Sequence, residues 1–295
     1  MKKTFFRNSI IFSLLIVFIV SFMSIGFAAI SKSFSISSSI KLAQESTLKD
    51  RVVSTDQYNV KFLGCNNIDA THVTELYFTG TKKTNCTKTC DASANGDGSV
   101  EVCFISNNTG DNTGKVYVWG KNGVVFANRH THFYDLKRCS VVSFVENGVV
   151  RFSTKKMVSM TSMFGHLCLG DSTYGCNMAM LDLSSFDTSN VTEMNNMFDN
   201  SSGITAINLG SFDTSNVTSM DLMFHGTTTL KRVYVGSQWT TSSVTSGNSM
   251  FELSSLHTYH NYTACHNSST NSYTYAKIDG GSSSPGCFDN VTSLQ

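Results

Sequence analysis

The chain has 295 residues, of which 40% are hydrophobic and 15% charged, with a formal net charge of +1, one proline and nine cysteines. Such a composition fits an exported globular chain whose surface relies on Ser, Thr, Asn and Gly, and the near-neutral balance offers no polybasic surface for nucleic acid. An odd number of cysteines in an exported chain points to disulfides with one thiol left over.

Lys2, Lys3 and Arg7 precede residues 8–31, a run of 24 residues without a charge. As a helix that run would reach about 36 Å against a hydrocarbon core of about 30 Å. It predicts an N-terminal hydrophobic helix over residues 1–31, a signal peptide or membrane anchor. Gly26-Phe27-Ala28 places small residues at the −3 and −1 positions of a signal-peptidase site, which favours cleavage near Ala28 and a secreted or cell-surface chain. Only an uncleaved segment would tie it to a membrane. Pro285 is the single proline, so no LPxTG-like signal is present, and no cysteine precedes Cys65 to carry a lipid.

Residues 32–138 read as a β-rich region. Residues 73–78 and 100–105 alternate as strands do, and the polar, glycine-containing stretch 80–98 reads as a loop. Two apolar runs, 116–119 and 124–126, flank Gly120-Lys121-Asn122-Gly123 and predict a hairpin. Phe133-Tyr134 and residues 140–144 lead into the C-terminal half of the chain and are placed to cap its core. Cys86 and Cys90 have a spacing that zinc sites use, but no second pair matches it, so no metal is expected. His130 and His132 with Asp135 lack a nucleophile motif and read as a surface turn. Residues 32–156 hold 16 Lys+Arg and 11 Asp+Glu (+5), whereas 157–256 hold 2 and 8 (−6).

From residue 181 the chain repeats itself. LDLSSFDTSNVTEMNNMF (181–198) returns as INLGSFDTSNVTSMDLMF (207–224) and more loosely as VYVGSQWTTSSVTSGNSMF (233–251), with starting residues 26 apart. A period of that size signals a solenoid. Leu181 and Leu183, Ile207 and Leu209, and Val233 and Val235 predict a short half-buried strand in each turn. Val191, Met194, Met197 and Phe198, and their counterparts Val217, Met220, Met223 and Phe224, fall on one stripe of a short helix. Asp-Thr-Ser-Asn between them suits a turn or N-cap, and Asn190 with Glu193 resembles a capping box. A fainter copy lies 34 residues earlier, aligning Phe152 with Phe186, Met157 with Val191, Met160 with Met194, Met163 with Met197 and Phe164 with Phe198. Its extra eight residues come after Phe164 and should emerge as a loop on one face. Ten of the 12 methionines lie between Met157 and Met250, where a soft apolar core explains them better than metal binding.

The SFDTSNVTxMxxMF repeat, its variant 233–251 and the closing TYAKIDGGSSSPGCF (274–288) resemble the BspA-like leucine-rich-repeat surface proteins. Upstream, DGSVEVCFI (97–105) and KVYVWGKNGVVFAN (115–128) resemble the β-rich segment that precedes the repeats in many members. The resemblance covers about residues 97–288. It departs at Cys287, where members of this type carry an aromatic. Together these readings predict an α/β fold. A leucine-rich-repeat solenoid of about four turns (139–256), built of a parallel strand ladder and short helices, lies between the N-terminal region and a C-terminal cap and tail (257–295).

The resemblance implies a secreted or cell-surface bacterial adhesin whose partners are proteins or glycans on host or bacterial surfaces. On the solenoid the outward strand face would present Asp182, Asn208 and Tyr234, with Ser184, Gly210 and Gly236. No HExxH, GxSxG, P-loop or dinucleotide fingerprint occurs, so neither a catalytic site nor a cofactor is expected. Cys168 with Cys176 and Cys265 with Cys287 bracket the inserted loop and the cap and are natural disulfides; Cys65, Cys86, Cys90, Cys103 and Cys139 stay unassigned. The competing reading is a structural envelope component or shed surface protein without a specific ligand. Four turns at about 4.8 Å each make a poor stalk.

Overall fold

Alternating apolar residues build the first sheet. Strands β2 (Val73–Thr79), β4 (Val100–Ser106) and β5 (Gly114–Gly120) bury Val73, Leu76 and Phe78, then Val100, Val102 and Phe104, then Val116 and Val118. With β3 (Lys88–Asp91) and β7 (Val141–Ser143) they make five strands in the order β3-β4-β5-β2-β7. The computed structural model describes residues 45–49, 62–108, 110–170, 173–256, 265, 272–281 and 283–294.

The hairpin expected across residues 120–123 does not form. Its turn is present, with Gly123 N–H donating to Gly120 O at 2.8 Å, but β5 already has β4 and β2 on its two edges. The next strand, β6 (Val125–Phe126), pairs instead in parallel with β1 (Ser46–Thr47) and β10 (Phe152–Ser153). A hairpin does occur between β8 (Val145–Glu146) and β9 (Val149–Val150). Its turn residues Asn147 and Gly148 both have positive φ, 52° and 75°, as a two-residue hairpin turn of matching twist requires.

In the repeats, β11 (Leu181–Asp182), β12 (Ala206–Leu209), β13 (Arg232–Val235) and β14 (Asp289–Asn290) stack in parallel. Leu181 faces Ile207 and Ile207 faces Val233, so the register is the sequence period. Leu181, Leu183, Ile207, Leu209, Val233 and Val235 are fully buried. Behind them Phe164, Phe198, Phe224 and Phe251 form a column with centroids 5.8, 5.4 and 5.8 Å apart and planes within 13°. Met163, Met197, Met223 and Met250 make a second buried column. Phe133, Phe144 and Phe152 close one end against Phe164 and Phe186, and Phe288 closes the other against Phe224 and Phe251.

The expected α/β solenoid with short helices is not what folds. The described residues form sheets of five, four, three and two strands, and their complete helical elements are 3-10 turns of three or four residues. Where a helix was predicted, two residues per repeat have left-handed backbone. Ser162, Asn196, Leu222 and Ser249 share one repeat position, and His166, Asn200, Gly226 and Leu253 share another. An α-helix of L-residues has no place for such conformations. The backbone bonds between turns instead: Phe164 N–H donates to Met197 O (2.8 Å), Phe198 N–H to Met223 O (2.9 Å) and Phe224 N–H to Met250 O (2.9 Å). The predicted N-terminal hydrophobic helix over 1–31 lies outside the described residues; among these, no helix is long and apolar enough to cross a membrane.

Asp-Thr-Ser-Asn is likewise no helix cap. Buried Thr154, Thr188 and Thr214 donate through Oγ1 to the carbonyls of Asp187 (2.8 Å), Asp213 (2.9 Å) and Thr240 (2.6 Å). Each hydroxyl also accepts the N–H of that same residue, at 2.8, 2.9 and 2.7 Å. One threonine therefore staples each turn to the next. Asn190 and Asn216, instead of capping, donate to the carbonyls of Lys155 (3.1 Å) and Ser189 (2.8 Å) in the turn before.

Two substitutions test this account. Thr214→Val keeps the shape but leaves both backbone groups of Thr240 unpaired, and urea unfolding should show a loss of about 1–3 kcal/mol. Leu253 is 54% exposed with φ 58°, at the position Asn200 occupies in an earlier turn. Leu253→Asn should therefore raise the unfolding free energy, by about 0.5–1 kcal/mol, because asparagine tolerates the left-handed region.

Candidate functional site

The strand face predicted to meet a partner is open at one end only. Asp182 and Ser184 are exposed, whereas Asn208 and Tyr234 are 7% and 6% exposed. Asp182 Oδ1 accepts the N–H of Ser184 (3.0 Å) and Nδ2 of Asn208 (2.9 Å), and Asn208 Oδ1 accepts the N–H of Gly210 (3.0 Å). These polar groups are occupied with one another. The 3-10 turn Val291–Leu294 supplies the cover: a Cβ on Gly210 would lie 2.6 Å from Cγ2 of Val291. Gly236 packs as closely, since a Cβ there would meet Gly210 O at 2.2 Å. The six positions do not form one open row.

A different row does stay open, beside the inserted loop. Cys168 and Cys176 are disulfide-bonded and draw that loop into a closed lobe. The lobe is anchored by Cys168 N–H to Leu136 O (3.0 Å) and Leu169 N–H to Lys137 O (2.8 Å), and Tyr174 lies under the cations of Lys137 and Arg138 at 5.7 and 5.3 Å. It presses on Gly203, where a Cβ would come within 2.4 Å of Cys176 O and 2.6 Å of Cys168 O, so only glycine fits. Between the lobe and the next turns runs a groove of about 520 Å³. Asn177, Thr229 and Ser255 lie along it at the 26-residue spacing, with Thr205 and Lys231 beside them, while Gly203, at the same spacing, is buried against the lobe. Lys231 is exposed and enters no ion pair among the described residues. The signal for this row was in the sequence: the insertion marked the face and the period fixed which residues share it.

The remaining candidates resolve differently. The disulfides are Cys65–Cys90, Cys86–Cys103, Cys168–Cys176 and Cys265–Cys287. Cys86 and Cys90, the pair with zinc-like spacing, are thus each bonded to another cysteine. Cys139 is the free thiol; burial pushes it up to about 12, and its Sγ donates to Val141 O at 3.2 Å. Asp135 turns from His130 and His132 to His166 Nδ1 (3.1 Å) and Lys137 Nζ (3.3 Å). His225 Nδ1 meets Asp199 Oδ1 at 2.6 Å. His257, His260 and His266 lie outside the described residues.

Residues 132–258 match the family model described as "Mycoplasma protein of unknown function, DUF285". No curated protein and no solved structure matches the chain. The matched segment contains the groove, the inserted lobe and strands β11 to β13.

Burial opposes ionisation of Asp135, but the hydrogen bond with His166 and the charge of Lys137 outweigh it and hold the carboxyl below its usual value. A depressed folded value means that its stabilisation is complete above about pH 4 and is lost as pH falls through the lowered value. Asp135→Asn should therefore be less stable than the parent at pH 7, with the gap closing below about pH 4 in urea titrations. Replacing Cys168 and Cys176 together by alanine should cost about 2–3 kcal/mol for a loop of this length, seen as a lower melting temperature, and should loosen one wall of the groove.

Proposed function

We propose that the chain is a secreted or cell-surface bacterial protein that binds other surfaces without catalysis, an adhesin-like module of the kind the BspA-like proteins represent. The observation that carries this reading is the open polar row beside the inserted lobe. Its polar side chains Asn177, Thr229 and Ser255 fall at the repeat spacing, so a partner would meet polar groups from several turns, and among the described residues it gathers no nucleophile with a base. Four disulfides in one chain support an oxidising compartment outside the cytosol. The resemblance of the repeat supports the bacterial surface and protein or glycan partners there. Contact with a membrane would come through residues 1–31 alone, if they are retained.

The oxidised, purified chain should bind saturably to host epithelial cells, extracellular matrix or bacterial cell surfaces in a labelled-protein assay. Cell fractionation of the producing bacterium should find it outside the cytoplasm. A chain that stays cytoplasmic, or that saturates on none of these surfaces, would overturn the proposal; the latter result is what a structural envelope component without a ligand predicts.

A further inference from the structure

A second hollow lies where the chain after β13 meets the C-terminal cap. It measures about 380 Å³, at the small end of the range for ligand pockets, about 300–1,000 Å³, so it suits one side chain with its terminal group. Val235, Trp239, Ala276 and Ile278 give it a carbon lining. Trp239 is half-buried and fixed: its Nε1–H donates to Ala276 O at 2.7 Å, and its ring meets Phe288 edge-on at 5.2 Å and 89°. The indole's one polar atom is thereby satisfied, and what remains is an apolar ring. Ile278 is 38% exposed, while its backbone bridges in parallel to Phe288, the neighbour of disulfide-bonded Cys287. The apolar lining is held in place before any ligand arrives.

Three polar side chains complete it, and all three can donate. Thr240 Oγ1 accepts the N–H of Ser242 (3.2 Å), which leaves its own proton for another acceptor, and the Thr241 hydroxyl enters no hydrogen bond among the described residues. Lys277 is exposed; its Nζ donates to Ser284 Oγ at 3.5 Å and meets no carboxylate among the described residues. Donors with a cation beside a carbon lining fit a ligand that is apolar at one end and anionic at the other. A sugar acid supplies the anion, but its ring hydroxyls would be stripped of water against Val235, Trp239 and Ile278 without partners there. A hydrophobic residue at a free chain end supplies both parts from a single Cα.

We propose that this hollow binds the C-terminal residue of a peptide, with the hydrophobic side chain against Trp239 and Ile278 and the terminal carboxylate taken by Lys277 and the Thr240 and Thr241 hydroxyls. The site shares no lining residue with the groove beside the inserted lobe. It therefore goes beyond the adhesin reading and does not rest on it.

The chain has two tryptophans, so Trp119→Phe leaves Trp239 as the single indole reporter. Fluorescence titration of that oxidised full chain with acetyl-Gly-Gly-Phe tests the site, beside the same peptide as its C-terminal amide and acetyl-Gly-Gly-Gly with a free carboxylate. The free acid should shift Trp239 emission saturably, and the amide should bind about fivefold more weakly, the scale of a single exposed ion pair. The glycine peptide, which has the anion but no side chain, should not saturate. Lys277→Gln should bring the acid down to the amide level without changing the melting temperature, Thr241→Val should weaken the acid alone, and Ile278→Ser should weaken both phenylalanine peptides. No response to the free acid, equal binding of acid and amide in the parent, or an unchanged acid affinity in Lys277→Gln overturns the proposal. So does saturation by N-acetylneuraminic acid when the peptide does not bind, which would assign the hollow to an acidic sugar. A chain that attaches to cells but ignores the peptide refutes this site alone; one that binds the peptide but no cell surface refutes adhesion and leaves the site standing.

Discussion

Hydrogen bonding from one turn of the repeat to the next holds this molecule in register, and most of its other features depend on it. The strands pair at an offset of 26 residues, and a second backbone ladder joins Ser159, Glu193, Ser219 and Ser246 through parallel bridges. Between these ladders the buried threonines exchange two hydrogen bonds with each successive turn. Unpaired backbone groups in such an interior would each cost about 1–3 kcal/mol, so every turn depends on its neighbours to complete its bonding. A single repeat has no such partners and would not be expected to hold its shape alone.

That dependence makes the two ends of the stack critical. At one end Phe133, Phe144 and Phe152 extend the aromatic core into the five-stranded sheet through Phe78. At the other, Cys287 is bonded to Cys265, Phe288 covers the phenylalanine column, and β14 pairs along β13, so the last strand does not present a free edge. The same C-terminal segment continues over the outer strand face through Val291, and closing the stack in this way also withdraws Asn208 and Tyr234 from solvent. Polar surface remains on other flanks of the turns, at exposed Thr192, Thr218 and Thr245 and in the groove beside the inserted lobe.

Much of this was legible in the residues. The period, the inward residues of each strand, the methionine and phenylalanine core and two of the disulfides come from spacing, since a constant offset between like side chains survives whatever backbone carries it. The helix did not. Val191, Met194, Met197 and Phe198 point inward at intervals that a helix also produces, yet Asn196 and Asn200 sit in left-handed turns and the amides bond outward to the next repeat. Asn, Ser and Thr are weak helix formers that favour turns, so local preference and the inter-turn ladder agree against the stripe. The hairpin at residues 120–123 failed for a comparable reason: its turn chemistry was sound, but β2 and β4 already occupied both edges of β5.

By itself, then, the sequence determined which residues repeat, which face the core and where an extra loop interrupts the pattern, because these depend on side-chain identity at fixed intervals. Tertiary structure alone decided how the backbone between the strands is bonded, which cysteines among the first four pair, and which polar face stays open. Those outcomes depend on competition among distant segments for the same edges and surfaces. The covering of Gly210 by Val291 and the pressing of the Cys168–Cys176 lobe onto Gly203 are contacts of that kind, made between residues that no local pattern relates.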